Sequence, residues 1–321
     1  MQTAPKSVLL LGASGTIGRA TGLALLDAGH KVSAPVRSLD SIPPKLSGHA
    51  LKIDINDAER RRWIIESGRF DAVISCLASR TGAPGDAWAI DHALNSAVLK
   101  DAQAAGIGHF VLLSAICVQK PKLAFQHAKL AFEAELRSSD LVWSIVRPTA
   151  YFKSLSGQID RLRAGKPFLL FGNGELTACK PISDADLARY MTLCLTNPAL
   201  QNRILPIGGP GPAITPRAQG EMLFDALGLK PRFKRVPVAL MSTIITGLSL
   251  AGSISPRLRA KAELAHIGRY YATESMLVWD EQTGRYNADA TPEFGADTLA
   301  AHFLRLATEE IADDRGSHAV F

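Results

Sequence analysis

The sequence predicts a doubly wound α/β fold, a parallel sheet covered by helices on both faces, and three observations carry that prediction. Short apolar runs of strand length recur through the first 150 residues. Helical patterns lie between most of them, and a glycine-rich turn joins the first run to the first helix. Repeated βα alternation with continuous apolar strands is the pattern of a parallel sheet buried on both sides.

The elements follow in order. Val8 to Leu11 reads as the first strand, and Ile17 to Ala28 as the first helix. Further buried strands are expected at Lys31 to Val36, Ala50 to Ile53, Ala72 to Cys76, Phe110 to Leu113 and Trp143 to Val146. After Pro148 glycine and proline become frequent, through Gly165 to Pro181 and again through Pro206 to Pro216. Residues 1–150 are therefore expected to form a dinucleotide-binding region, and 151–312 a smaller, loop-rich substrate region packed on it. Residues 313–321 read as a poorly ordered tail. No internal repeat or low-complexity tract interrupts the pattern.

Composition excludes several classes. With 47% hydrophobic and 21% charged residues, the chain of 321 is too apolar for disorder and long enough for a large core. A net charge of +6, from 36 Lys and Arg against 30 Asp and Glu, without a long single-sign run, speaks against nucleic acid as a partner. It suits an anionic small molecule or a loose attraction to anionic lipid. Cys76, Cys117, Cys179 and Cys194 lack CxxC spacing and read as reduced thiols. The eight histidines show no metal-ligand spacing, so no protein-bound metal is expected. Met1 to Lys6 does not resemble a secretory signal, which implies a cytoplasmic protein.

Gly12, Gly15 and Gly18 form GxxGxxG after the first strand, with Ala13, Ser14, Thr16 and Ile17 between them. A tight strand-to-helix turn needs residues without a Cβ clash, and the helix start offers free N–H groups to a pyrophosphate. This is the expected site of a nicotinamide dinucleotide on a Rossmann-like fold, the alternative being a helix-packing turn with no ligand. Where NAD-specific folds place a carboxylate after the second strand, this chain has Arg37 and Ser38, which favours the 2′-phosphate of NADPH. Asp40 lies close by, and Arg37 could also be a solvated loop arginine. Asp54, past the third strand, reads as an adenine contact or as a helix N-cap.

Ser114 ends the fifth strand, and Lys129 follows on a helix that begins near Phe125. Ordinary short-chain dehydrogenases hold a serine and a Tyr-x-x-x-Lys pair here. Phe125 stands in the tyrosine's place, and a phenyl ring cannot exchange a proton, so routine alcohol–ketone interconversion is disfavoured. Lys129 remains available to anchor the nicotinamide ribose or to supply positive charge, though a surface helix lysine would look the same.

The text then resembles a particular family, the NADPH-dependent divinyl chlorophyllide a 8-vinyl-reductases. The resemblance is carried by ISCLASRTG at Ile74 to Gly82, HFVLLSAICVQKP at His109 to Pro121, and FQHAKLAFE at Phe125 to Glu133. It continues in SIVRPTAYFKSLSGQ at Ser144 to Gln158, GKPFLLFGNGELTACKPIS at Gly165 to Ser183, and LPIGGPG at Leu205 to Gly211. Beyond Gly211 it is looser. It implies reduction of the 8-vinyl group of divinyl chlorophyllide a, or of divinyl protochlorophyllide a, in chlorophyll or bacteriochlorophyll biosynthesis. No plastid transit segment is evident, so a bacterial member is expected.

Vinyl reduction asks for hydride on one carbon and a proton on the other, with no carbonyl oxygen to protonate. Such a site must place the nicotinamide against the vinyl group, exclude water and supply a proton. Lys129, Ser114, Tyr151 and Lys153 are the candidate catalytic donors; Phe125, Tyr151, Phe152, Lys153 and Lys180 are the candidate substrate contacts. Tyr151 and Lys153 could equally be a packed aromatic beside a solvated lysine. Lys180 in its loop, with Arg161, Arg163 and Lys166, could meet the pigment's propionate. Cys179 has no nearby histidine to activate it and is not expected to be a nucleophile. Any magnesium belongs to the substrate.

Residues 236–256 contain no charged side chain and are flanked by Arg235 and Arg257. Ser, Thr, Gly and Pro dilute the segment below a membrane span. It is expected to cover the substrate cleft, with peripheral membrane contact as the second reading. Two other functions compete with the first: an NmrA-like NADP-binding sensor without turnover, and an isoflavone-reductase-like enzyme with a phenolic substrate.

Overall fold

The computed structural model describes residues 4–252, 255–309 and 311; the expected tail at 313–321 lies outside them. The first half alternates strands and helices: β1 (Ser7–Leu11), α1 (Thr16–Asp27), β2 (Lys31–Val36), α2 (Pro44–Ser47), β3 (Ala50–Lys52) and α3 (Ala58–Ser67). It goes on through β4 (Ala72–Ser75), α4 (Pro84–Ala87), α5 (Asn95–Ala104), β5 (His109–Leu113), α6 (Ala124–Arg137) and β6 (Val142–Pro148). Between α4 and α5 the helix widens into a π-turn over Trp88–Leu94.

Past residue 150 come α7 (Phe152–Leu155), α8 (Ile159–Arg163), β7 (Phe168–Phe171), α9 (Asp184–Leu193) and β8 (Arg203–Ile207). These are followed by α10 (Pro216–Ala226), β9 (Phe233–Val236), α11 (Val238–Gly252), α12 (Pro256–Thr273), β10 (Val278–Asp280), β11 (Arg285–Asn287) and α13 (Leu299–Ala307).

Seven strands form one sheet in the order β3-β2-β1-β4-β5-β6-β8, every neighbouring pair parallel. The order reverses between β1 and β4, which opens a crevice at their carboxyl ends. Alternate residues of β1 serve different cores. Val8 and Leu10 join the layer of Leu25 on α1 and Leu187 and Met191 on α9, while Leu9 and Leu11 join that of Val98 on α5 and Phe132 on α6. Both faces are thus apolar, and the strands read as continuous runs instead of alternating ones.

Beyond Pro148 the chain returns to this sheet twice: β8 pairs with β6, and α9 packs on α1. The rest forms a separate core around Phe168, Phe224 and Phe303, from α8, β7, α10 and α13. A fourth apolar cluster joins Ile267 and Tyr270 of α12 to Ile116, Cys117 and Leu123, the segment between β5 and α6. Through it the C-terminal part reaches the crevice.

Candidate active site

At the carboxyl end of β1, Gly12 adopts φ +78°, and a Cβ there would stand 2.6 Å from the Cys76 carbonyl oxygen. A Cβ on Gly18 would meet the Gly12 oxygen at 2.1 Å, so the turn and the first helical coil close only around glycine. Gly15 N–H donates to Gly12 O at 2.9 Å and occupies the N-cap of α1. No side chain caps this end and no acidic residue lies in its first turn, which leaves the first N–H groups and the positive end of the dipole open to an anion. Ser14 and Gly15 are exposed on the turn and Thr16 is half-buried, whereas Ile17 is buried in the core behind it.

Arg37 and Ser38 follow β2 on the same edge and are exposed. Ser38 Oγ donates to Asp40 Oδ2 at 2.6 Å. Asp54, after β3, accepts from the backbone N–H of Asn56 at 3.1 Å and its side-chain amide at 2.7 Å. The Asn56 backbone contact, with smaller help from Arg37 and Arg60, holds the Asp54 carboxyl below its usual range. The cap of α3 is Asp57, which accepts from Glu59 and Arg60, so the N-cap reading of Asp54 is ruled out.

Lys129 lies one turn past Phe125 on α6. Its Nζ stands 2.9 Å from Asp91 Oδ1, at ion-pair distance but off the line of a good hydrogen bond. Asp91 is fully buried; its Oδ2 accepts from Ser79 N–H at 3.3 Å, and its carbonyl from Asn95 Nδ2 at 3.3 Å. The π-turn sets this carboxylate inward, and insertions of that kind recur where a side chain must be redirected. Phe125 is half-buried against Gly82 and the cluster of Ile267 and Leu123. Gln126 holds the start of α6, its Oε1 accepting from Leu123 N–H at 2.9 Å and its Nε2 donating to Cys117 O at 3.2 Å.

Ser114 is buried, and its hydroxyl donates to Glu133, which in turn pairs with Arg147. Tyr151 begins α7 as its N-cap residue, and burial, with Asp184, Cys76 and Cys117 nearby, raises its phenol well above the usual value. From α12 comes Tyr271, a residue 37% exposed whose hydroxyl turns inward to Cys117 Sγ at 3.9 Å. Its phenol is also raised, by burial first and then by Cys117 and Tyr151. Tyr271 thus reaches Cys117, Tyr151 acts electrostatically on Tyr271, and Lys129 is near enough to act on Cys76 and Cys117.

The remaining candidates spread out. Phe152 is buried beside the His302 ring, 5.3 Å between centroids, in the core away from the crevice. Lys153 is half-buried on α7. Lys180 is buried and paired with Glu293, while its carbonyl accepts from Thr149. Burial pushes the Cys179 thiol up to about 12, which suits an inert packed thiol. Among the described residues no group of three or more His, Cys, Asp or Glu could hold a metal ion.

Sequence reasoning missed Asp91, Tyr271 and the Glu133–Arg147 pair. A lone acid in the mostly apolar stretch Ala89 to Leu99, beside His92, Asn95 and Ser96, was the available signal for Asp91. Tyr271 gave none, since its contact with Cys117 spans 154 positions.

Fold and crevice together define the class: an NAD(P)H-dependent oxidoreductase on the short-chain dehydrogenase plan, lacking that plan's tyrosine. The family model described as NAD(P)H-binding matches residues 12–198. The divinyl chlorophyllide a 8-vinyl-reductase of Zea mays is 43% identical, over 98% of this chain and 83% of its own. That of Oryza sativa subsp. indica is 44% identical, over 98% and 82%. The chain belongs to the divinyl chlorophyllide a 8-vinyl-reductase family. An isoflavone reductase crystal structure superposes with a TM-score of 0.67 over 94% of this chain and 100% of that one; at 17% identity it shows the fold alone.

Proposed function

We propose that this protein uses NADPH to reduce the 8-vinyl group of divinyl chlorophyllide a, or of its protochlorophyllide relative, to an ethyl group. The observation that carries the reading is the 43% identity to a named 8-vinyl-reductase along 98% of the chain.

The residues present fit the cofactor. Gly12, Gly15 and Gly18 with the bare start of α1 suit a pyrophosphate, joined by Ser14, Thr16 and the backbone of Ile17. Arg37 and Ser38 suit the 2′-phosphate, Asp54 the adenine edge, and Lys129 the nicotinamide ribose. Bound there, the dihydronicotinamide supplies a hydride to one carbon of the vinyl group, while the other carbon takes a proton.

The chain's own part is placement and proton supply. Asp91 fixes the Lys129 ammonium at the crevice, so that its charge lies beside the macrocycle on which negative charge develops. Phe125, with Ile267 behind it, offers an apolar wall for the pigment and sheds water. Tyr151 and Tyr271 are the proton donors we favour: burial raises both phenols, and the Tyr271 hydroxyl turns inward to Cys117. Ser114 has committed its hydroxyl to Glu133 and serves as a second-line donor, as does Lys153. Lys180 contributes to the pigment side by bracing its loop through Glu293, and Phe152 by anchoring α7 in its core. Residues 151–312 supply the substrate region, and the enzyme works in the cytoplasm beside the photosynthetic membrane.

Incubation of the purified protein with NADPH and divinyl chlorophyllide a should yield the monovinyl pigment, read by chromatography. A preparation that binds NADPH and converts neither divinyl pigment would refute the reading.

A further inference from the structure

Helix α11 (Val238–Gly252) inverts the usual arrangement of a surface helix. Its buried side is narrow, Ile245 being only 5% exposed. Leu240 and Ile244, one turn apart, are each 50% exposed, and Leu250 is 71% exposed. On the neighbouring α12, Leu264 is 44% exposed. The segment that seals the crevice is α12, through Ile267, Tyr270 and Tyr271; α11 packs on α12 and turns Leu240, Ile244 and Leu250 outward.

The charge around it is as one-sided. Residues 228–262 hold Lys230, Arg232, Lys234, Arg235, Arg257, Arg259 and Lys261 and no Asp or Glu, although the whole chain carries a net +6. Lys230, Arg232, Lys234 and Arg235, at the foot of α11, are all exposed. Lys230, Lys234 and Arg235 have no acidic partner among the described residues. Apolar side chains aimed at solvent with unpaired cations at their border are the composition of a helix lying in a lipid interface.

From this we propose that α11 and its basic foot form a docking surface for an anionic lipid bilayer, with Leu240, Ile244 and Leu250 entering the headgroup boundary. Among the described residues no helix is long and apolar enough to cross a membrane. A second copy of the chain is disfavoured, because pairing these faces would set one cationic segment against another. Nothing in this inference depends on the reaction, so vesicle binding and pigment turnover can fail separately.

The test is co-sedimentation of the full-length protein with phosphatidylcholine vesicles, with and without phosphatidylglycerol. Partition should be about ten-fold or more higher on the anionic vesicles and fall with added salt. The triple variant Leu240→Ser/Ile244→Ser/Leu250→Ser should lose about ten-fold of it while melting at the wild-type temperature. Lys230→Glu/Lys234→Glu/Arg235→Glu should lose the preference for phosphatidylglycerol. Should the serine variant unfold, Ile244→Trp decides in its place: its fluorescence should shift to the blue with anionic vesicles only. Equal binding to both vesicle types, undiminished binding of a folded serine variant, or no blue shift would overturn the proposal. So would a dimer in sedimentation equilibrium that the serine variant dissolves.

Discussion

Gly12, Gly15 and Gly18 lie in one turn, whereas Lys129, Asp91, Tyr151 and Tyr271 come from four elements between residues 91 and 271. Both groups meet at the carboxyl edge of the same sheet, yet they depend on the chain differently. The nucleotide turn needs only a strand, a helix and the absence of three side chains. The proposed reacting side needs a π-turn, a buried ion pair and a helix brought back from the far end of the chain. A short motif can therefore specify the glycine turn, while the groups proposed for substrate chemistry are brought together by long-range packing.

The sharpest way to break this contrast is at Gly12. In Gly12→Ala a Cβ would stand 2.6 Å from the Cys76 carbonyl, with φ at +78°, and both are backbone constraints that cannot relax cheaply. Nicotinamide-dinucleotide binding, followed by titration calorimetry, should be lost. Gly29→Ala is the control, since Gly29 has φ +80° with nothing within 4 Å; it should cost about 1 kcal/mol of stability and leave binding intact. Equal binding by both variants would mean that the turn does not hold the cofactor.

On the reacting side, Lys129→Ala should lower kcat/KM about 100-fold, or about 2.7 kcal/mol. It also strands Asp91 as a buried carboxylate, which destabilises by itself. The double variant Lys129→Ala/Asp91→Asn should regain the melting temperature without regaining activity. Activity returning along with stability would reduce Lys129 to a structural partner.

Arg37→Ala sharpens the nucleotide side. It should weaken NADPH by about 1.5 to 3 kcal/mol and leave NADH nearly unchanged, as loss of a charge-assisted bond to phosphate requires. Equal loss for both cofactors would place Arg37 elsewhere than at the 2′-phosphate.

At the amino end of the strands, away from both sites, burial lowers the His109 pKa from 6.5 to about 4. The unfolded chain then binds the proton first, so stability is full above pH 6.5 and falls as pH drops toward 4. The loss should reach about 2 kcal/mol at pH 5 and largely vanish in His109→Gln, by urea denaturation at two pH values. An unchanged pH dependence in the variant would assign the effect to other groups.

What the sequence disclosed follows the same division. Strands β1, β4 and β5 were legible as nearly continuous apolar runs buried on both faces, whereas β3, at the sheet's edge with Leu51 and Lys52 exposed, was legible only from its place in the βα alternation. The seventh, β8, was not, because Pro206 argues against a strand. It is tolerated there since β8 is the sheet's edge, with β6 on one side only. The glycine turn was legible from its spacing together with the strand before it and the helix after it. At the crevice, Lys129 was expected from the place of the Tyr-x-x-x-Lys pair and Tyr151 from its place after the sixth strand, but the contacts of Asp91 and Tyr271 join distant segments and had no local signature. Ser114 was chosen by position, and its bond to Glu133 could be seen only once α6 and β5 were packed together.

The smallest expected effect belongs to Phe125→Tyr, and it tests the nature of the reaction rather than the strength of a contact. Phe125 stands one helical turn before Lys129, half-buried at the crevice wall. In ordinary short-chain dehydrogenases a hydroxyl in this place exchanges a proton with a substrate oxygen. A vinyl group has no such oxygen, and negative charge left by hydride addition spreads over the conjugated ring. The added hydroxyl then has nothing to protonate at that point and only dilutes an apolar wall. Vinyl reduction should stay within about two-fold of wild type or fall slightly. Deuterium from labelled NADPH and deuterium from heavy water should still enter the new ethyl group on different carbons. A severalfold gain in rate would show that the wild-type enzyme is limited by a missing acid at residue 125, and both labels arriving from solvent would rule out direct hydride transfer.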